Sequence, residues 1–160
     1  MAVPKEMLWE IEPHTLAKHE ILRRYLGAWF PILTTYNQRV LYVDGFCGPG
    51  RYKGGEFGSP ILAVREALKH SARLNGNKVL FYFMDERSDR IEHLRSELQN
   101  MNAPNNFVLN SQPGEFEVEL RKLLDEVDSK QLQLVPTFAF IDPFGFKGLP
   151  FDLVRRLPLS

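Results

Sequence analysis

Three short segments of the sequence combine residue types that can hold a small ligand or orient a reacting group. They are the glycine-rich turn at residues 44–50 (DGFCGPG), the carboxylate Asp85, and Asp142 followed by Pro143 and Phe144. Each segment follows a short apolar run of the kind that forms a buried β-strand. Ligands of open parallel sheets lie beyond the carboxyl ends of the strands, so these segments predict one shared site.

The first two segments have features of a nucleoside site. Glycine has no Cβ, so Gly48 and Gly50 would let the backbone approach a ligand closely, and Asp85 could accept hydrogen bonds from both ribose hydroxyls. The turn lacks the G-x-G-x-x-G and G-K-[ST] patterns, which disfavours nicotinamide cofactors and nucleoside triphosphates. The alternatives are a tight turn without a ligand and a surface acid that closes a strand. Gly50 and Asp85 are also farther apart than the roughly 20 residues of compact dinucleotide sites.

The third segment points to an amine. Pro143 has no N–H for a neighbouring strand and ends the pairing, while Asp142 leaves an apolar strand and needs a polar partner. Asp142 could accept hydrogen bonds from an amine, and Phe144 or Phe146 could stack on a flat base. A capping aspartate among core aromatics is the alternative. Together, the three segments fit S-adenosylmethionine better than any other cofactor.

Further candidates lie in the N-terminal helix and the loops. Lys18 could reach the carboxylate of the cofactor, or it is a solvated lysine on an amphipathic helix. His14 and His19 lack the H-E-x-x-H arrangement, so no metal site is predicted, and Cys47 is expected to be a small packed residue. Cationic and aromatic loop residues would suit phosphate and base contacts, although loop solubility explains them equally. These are Arg51, Tyr52, Lys53 and Lys147.

The elements that position these residues alternate between strands and helices. The strands are too apolar to have a solvated face, which predicts an α/β fold with a Rossmann-like, doubly wound parallel sheet of about four strands. We expect an N-terminal helical segment at residues 1–38 and a cofactor-binding domain at 39–160. The predicted strands are residues 40–43, 79–84, 107–109 and 137–141, with helices between them from Ser59, Ser88 and Phe116.

Composition limits the possible classes of protein. The chain has 160 residues, 44% of them hydrophobic, which is enough for one packed domain. Lys plus Arg and Asp plus Glu number 20 each, so the charge balance gives no indication of nucleic-acid binding. The single cysteine excludes a disulfide within the chain. The sequence has no apolar signal or membrane-length span, so we expect a cytoplasmic location and no membrane association.

The sequence closely resembles the three-Cys-motif partner (TcmP) family of bacterial proteins. The resemblance covers nearly the whole chain and is carried by residues 12–19 (EPHTLAKH), 42–52 (YVDGFCGPGRY), 58–60 (GSP) and 141–148 (IDPFGFKG). It implies a class I methyltransferase-like fold, S-adenosylmethionine as cofactor, and a three-Cys-motif protein encoded nearby as partner. The cofactor-binding residues that it implies are Lys18, Asp44, Gly45, Phe46, Gly48, Gly50 and Asp85.

The segment at Asp142 is also similar, in part, to the D-P-P-[YF] motif of amino-methyltransferases. By this likeness, Asp142 and the Pro143 carbonyl orient an acceptor amine, with nucleic acid as a possible substrate, and Phe144 stacks on its ring. A catalytically silent scaffold that binds the cofactor or the partner protein remains an alternative, and a nicotinamide-binding fold is a third. The resembled fold has seven strands, so we expect this chain to be its N-terminal half and to be poorly soluble alone.

Overall fold

The computed structural model of this chain describes residues 4–131, 135–143 and 151–157. Four strands alternate with helices in this part of the chain, which confirms the predicted α/β class. The elements are α1 (Pro13–Tyr36), β1 (Arg39–Asp44), α2 (Ser59–Lys69), α3 (Ser71–Leu74), β2 (Lys78–Asp85), α4 (Ser88–Gln99), β3 (Phe107–Pro113), α5 (Phe116–Ser129), β4 (Thr137–Phe140) and α6 (Phe151–Val154).

The four strands form one parallel sheet in the order β3-β2-β1-β4. The first three strands add successively on one side, and the chain then returns to place β4 on the other side of β1. In the register, Asp44 at the end of β1 lies beside Phe83 of β2 and Phe140 of β4. The strand order reverses between β1 and β4, which makes the carboxyl ends of these two strands the topological switch point of the sheet.

Helices cover both faces of the sheet, as the apolar strands predicted. Successive strand residues point to opposite faces, so Val40 and Tyr42 pack into one core with α1, α2, α3 and α4. Leu41 and Val43 pack into a second core with α5 and α6. No helix in the described ranges is long and apolar enough to cross a membrane.

The structure corrects several predicted element boundaries. Ser59 was expected to cap a helix, but Gly58 is the N-cap and Ser59 is the first helical residue. The Ser59 side chain hydrogen-bonds to Asp44. The helix predicted from Ser59 to about residue 74 is divided at His70 into α2 and α3. Ser88 is likewise inside its helix and not the cap. The strand β3 is longer than predicted, and β4 ends at residue 140.

Candidate functional site

A cavity of about 110 Å³ lies beyond the carboxyl ends of β1 and β4, at the switch point of the sheet. Its walls come from the first turns of α1, the turn after β1, the start of α2 and the segment that follows β4. Part of the N-terminal segment also contributes, through Trp9. The wall residues that bear on chemistry are Lys18, His19, Cys47, Tyr52 and Asp142.

Two of the predicted site residues meet at this cavity. The Lys18 Nζ donates to Asp142 Oδ1 at 2.7 Å, which joins α1 to the segment after β4. The two side chains are 45% and 32% exposed, and ion pairs at such positions contribute about 0–1 kcal/mol to stability. The pair is therefore easily exchanged for other partners. Pro143 also lines the cavity, whereas the predicted stacking residues Phe144 and Phe146 lie outside the described residues.

Asp44 is completely buried behind the turn and is not part of the cavity wall. The Phe46 amide donates to Asp44 Oδ1 at 3.3 Å, and the Tyr42 hydroxyl donates to Oδ2 at 3.4 Å. Burial raises the pKa of Asp44 to about 7, although these hydrogen bonds and one from Ser59 partly offset the effect. Asp44 therefore acts on the site by shaping the turn.

The predicted glycines have packing partners within the protein. A Cβ on Gly45 would lie 2.5 Å from a ring carbon of Phe116. Gly50 has a φ of +84°, and its Cβ would lie 2.7 Å from a methyl carbon of Leu94. Both positions thus require glycine irrespective of any ligand. Gly48, Gly50 and Phe46 line the cavity, and Gly45 does not.

Asp85 is buried and already has three partners. Its Oδ2 accepts the Gly48 amide at 3.1 Å and lies 3.8 Å from Arg90 Nη1, while Oδ1 accepts the Arg87 amide at 2.9 Å. Asp85 is also absent from the cavity wall. The structure therefore does not bring this predicted ribose ligand to the same surface as Lys18 and Asp142.

Residues 4–9, which we call the N-terminal strap, lie against the start of α4. The buried Arg90 donates to the carbonyls of Pro4 at 2.6 Å and Glu6 at 3.1 Å, and Arg87 donates to the Lys5 carbonyl. The Arg90 guanidinium also lies 4.6 Å from the ring centre of Trp9. Sequence analysis missed the strap because the contacts join residues more than 80 positions apart.

Sequence analysis also missed the position of His19. It is 6% exposed, lines the cavity, and its Nδ1 has no hydrogen-bond partner among the described residues. Its ring centre lies 5.9 Å from that of Tyr52. Burial lowers the pKa of His19 to about 4, so the imidazole is neutral at pH 7. The helical spacing predicted the amphipathic helix, but it did not predict that the loop after β1 would cover this face.

The remaining chemistry of the site is limited. Cys47 is buried, and burial raises the pKa of its thiol, which disfavours the reactive thiolate. Within the part of the chain that the structure describes, no group of three His, Cys, Asp or Glu residues is placed to hold a metal ion.

The cavity fits only one end of a nucleoside-containing cofactor. Pockets for whole small-molecule ligands usually have volumes of about 300–1,000 Å³, and this one has about 110 Å³. Lys18, His19 and the turn suit a polar end group. The Asp85 carboxylate, which was expected to bind the ribose, instead accepts the amides of Gly48 and Arg87. Comparisons of the chain with protein-family models, with curated proteins and with solved structures found no match.

Proposed function

We propose that the chain is a TcmP-family protein that binds S-adenosylmethionine and transfers its methyl group to an amine, with nucleic acid as a candidate acceptor. The observation that supports this most is the cavity at the switch point, which combines Lys18, the glycine turn and Asp142. Parallel α/β sheets bind their ligands at this place. The cofactor supplies an activated methyl group, so the protein needs mainly to position the acceptor.

Three residues of the cavity wall, and Asp44 behind it, have defined tasks in this proposal. Lys18 binds the carboxylate of the cofactor. The Asp142 carboxylate and the Pro143 carbonyl accept hydrogen bonds from the acceptor amine and direct its lone pair. Asp44 holds the turn from beneath through the Phe46 amide. An acceptor amine on a paired base would first have to leave the base stack.

A catalytically silent scaffold is the second candidate, and the environment of Asp85 favours it. All three partners of Asp85 belong to the chain itself, and the cavity is small. In this case the chain would bind the cofactor or a three-Cys-motif protein without transferring a methyl group. The two candidates differ in one measurable respect, the transfer of label to an acceptor.

The deciding experiment is a transfer assay with radiolabelled S-adenosylmethionine over separate pools of RNA, DNA and protein, with and without the three-Cys-motif protein. We expect labelling of one pool by the wild type and its loss in Asp142→Asn, while calorimetry shows unchanged cofactor binding. Asp152→Asn, a change at an exposed acid on α6, is the matched control. Cofactor binding without any labelling would favour the scaffold, and binding of NAD instead would contradict both candidates.

A further inference from the structure

His19 lies in the cavity wall with a polar atom that the fold does not use. It is 94% buried, since only 6% is exposed, and Nδ1 has no partner among the described residues. Buried polar atoms are paired in the great majority of native proteins, and an unpaired one destabilises the fold. Nδ1 itself is closed off from solvent, so a ligand in the cavity that His19 lines would meet the imidazole at its other ring nitrogen, Nε2.

The chemistry of the α1 wall indicates an anionic oxygen on that ligand. Lys18 and His19 are adjacent in α1 and both line the cavity. Lys18 supplies an ammonium group, and the neutral imidazole supplies one N–H donor. Hydrogen bonds between such donors and a carboxylate are about twice as strong as those between neutral groups.

The neighbouring acidic side chains do not prevent this binding. Glu12 lies 3.2 Å from His14 Nδ1, and Asp142 is paired with Lys18. A partly exposed ion pair of this kind is weak and is easily exchanged for another partner. If Lys18 turns to a ligand carboxylate, Asp142 becomes available to an amine, as the proposed function requires.

We propose that Lys18 and His19 together form a subsite for the carboxylate at the amino-acid end of the cofactor, and that Lys18 exchanges Asp142 for this carboxylate on binding. The subsite rests on the proposed function, because that function supplies the ligand. The cavity volume of about 110 Å³ suits this end group better than the nucleoside.

Two probes separate the amino-acid end from the rest of the ligand. S-adenosylhomocysteine carries the amino-acid group, and 5′-methylthioadenosine is the same nucleoside thioether without it. We expect Lys18→Met and His19→Phe each to weaken S-adenosylhomocysteine binding about tenfold or more in calorimetry, with methylthioadenosine binding within about threefold of the wild type. Phenylalanine keeps the ring shape of His19. Lys130→Met, at an exposed lysine directly after α5, is the control.

Each outcome of the titrations decides one question. Equal losses for both probes would overturn the subsite, because the two residues would then support the cavity as a whole. Equal binding of both probes by the wild type would also overturn it. If the wild type binds neither probe, the proposed function fails and the subsite fails with it.

A second measurement on the wild type does not depend on how the variants fold. Nuclear magnetic resonance titration of His19 should give a pKa near 4 in the free protein. We expect this pKa to rise when S-adenosylhomocysteine binds, because a nearby carboxylate favours the protonated imidazole, and to stay constant with methylthioadenosine. A pKa that rises equally with both probes, or with neither, would contradict a carboxylate contact at His19.

Discussion

Asp44 and His19 are buried titratable side chains whose pKa values burial shifts towards each other. The pKa of Asp44 is raised from 3.8 to about 7, and that of His19 is lowered from 6.5 to about 4. Both side chains are therefore neutral in the folded protein around pH 5 to 6. Their effects on stability oppose each other across this range, so neither is visible in the wild type alone.

The Asp44 contribution can be isolated by Asp44→Asn. Between pH 4 and about 7 the folded protein retains a proton on Asp44 that the unfolded chain has released, so this contribution to stability is lost as pH rises through that window. The total is on the order of 4 kcal/mol. In the variant, of these two contributions only that of His19 remains. The stability that it contributes is present above pH 6.5 and is lost as pH falls towards 4. We expect urea unfolding to show the variant gaining stability relative to wild type from pH 5 to 8.

The exposed Asp152→Asn substitution provides the comparison, because it changes the same chemical group without burial. Its free energy of unfolding should follow the wild type at every pH. If the difference in free energy of unfolding between the wild type and Asp44→Asn stays constant from pH 5 to 8, the raised pKa of Asp44 is contradicted.

The sequence pattern assigned individual residues to the site but did not predict the contacts between them. Lys18 and Asp142 were each assigned to the site, but their ion pair joins positions 124 residues apart and depends on β4 returning to the side of β1. Sequence analysis offered either a ligand or a tight turn as the reason for the glycines, but it did not predict that Phe116 packs against Gly45 and Leu94 against Gly50. In the sequence, His19 was one of two candidate histidines with His14. His19 differs from His14 because the loop after β1 covers it.

At the scale of elements, apolar runs predicted the strands and their parallel arrangement because burial on both faces leaves a continuous apolar pattern. Helix starts were less predictable. Serine is a residue type favoured at the N-cap, yet the Ser59 side chain hydrogen-bonds to the buried Asp44 instead of a free helix amide. Ahead of α4, Asp85 accepts the Arg87 amide, so that polar group is satisfied from the strand end. Such competition between partners is settled only by the tertiary fold.

The N-terminal strap is the element whose attachment is easiest to test. Trp9 packs on the Arg90 guanidinium at 4.6 Å and edge-on to Tyr52 at 5.5 Å, and its carbonyl accepts the Lys53 amide. Trp9→Leu removes the cation–π and aromatic contacts, each worth about 0.5–2 kcal/mol. We expect faster hydrogen exchange at the Lys53 amide, which donates to the Trp9 carbonyl, measured by mass spectrometry, with unchanged exchange in β1 and β2.

An equivalent loss of an aromatic ring elsewhere serves as the control. Tyr36 is 85% exposed at the end of α1, so Tyr36→Leu should leave exchange at the Lys53 amide unchanged. If Trp9→Leu also leaves this exchange unchanged, the Trp9 ring does not hold the strap. The hydrogen bonds that the Arg87 and Arg90 side chains donate to the strap carbonyls then hold it.

At the scale of the whole molecule, the two edges of the sheet are protected differently. On the β3 side, Arg95 donates to the Ser111 carbonyl at 2.6 Å and to its hydroxyl at 3.1 Å, which places a charged side chain along the edge. On the other side, β4 pairs with β1, and no further strand joins it in the described part of the chain. Unprotected edges of this kind favour pairing between chains.

Apolar side chains on α1 extend this unprotected region. Four of them lie four and seven residues apart, which places them on one side of the helix. Tyr25, one of the four, packs its ring 5.1 Å from that of Phe138 in β4. Exposed apolar surface beside a strand edge is a site of self-association. The four residues, which we call the α1 stripe, are Ile21, Tyr25, Ile32 and Tyr36.

We therefore expect the chain to self-associate and a charge in the α1 stripe to reduce this. Ile32 is 56% exposed, and lysine favours helix more than isoleucine does, so Ile32→Lys should change stability by no more than about 0.5 kcal/mol. Light scattering during size-exclusion chromatography should show a larger monomer fraction than in the wild type. Val118→Lys adds the same charge at an exposed position on α5 and should change it less. A wild type that stays monomeric at high concentration, or an equal effect of both variants, would show that the stripe does not drive association.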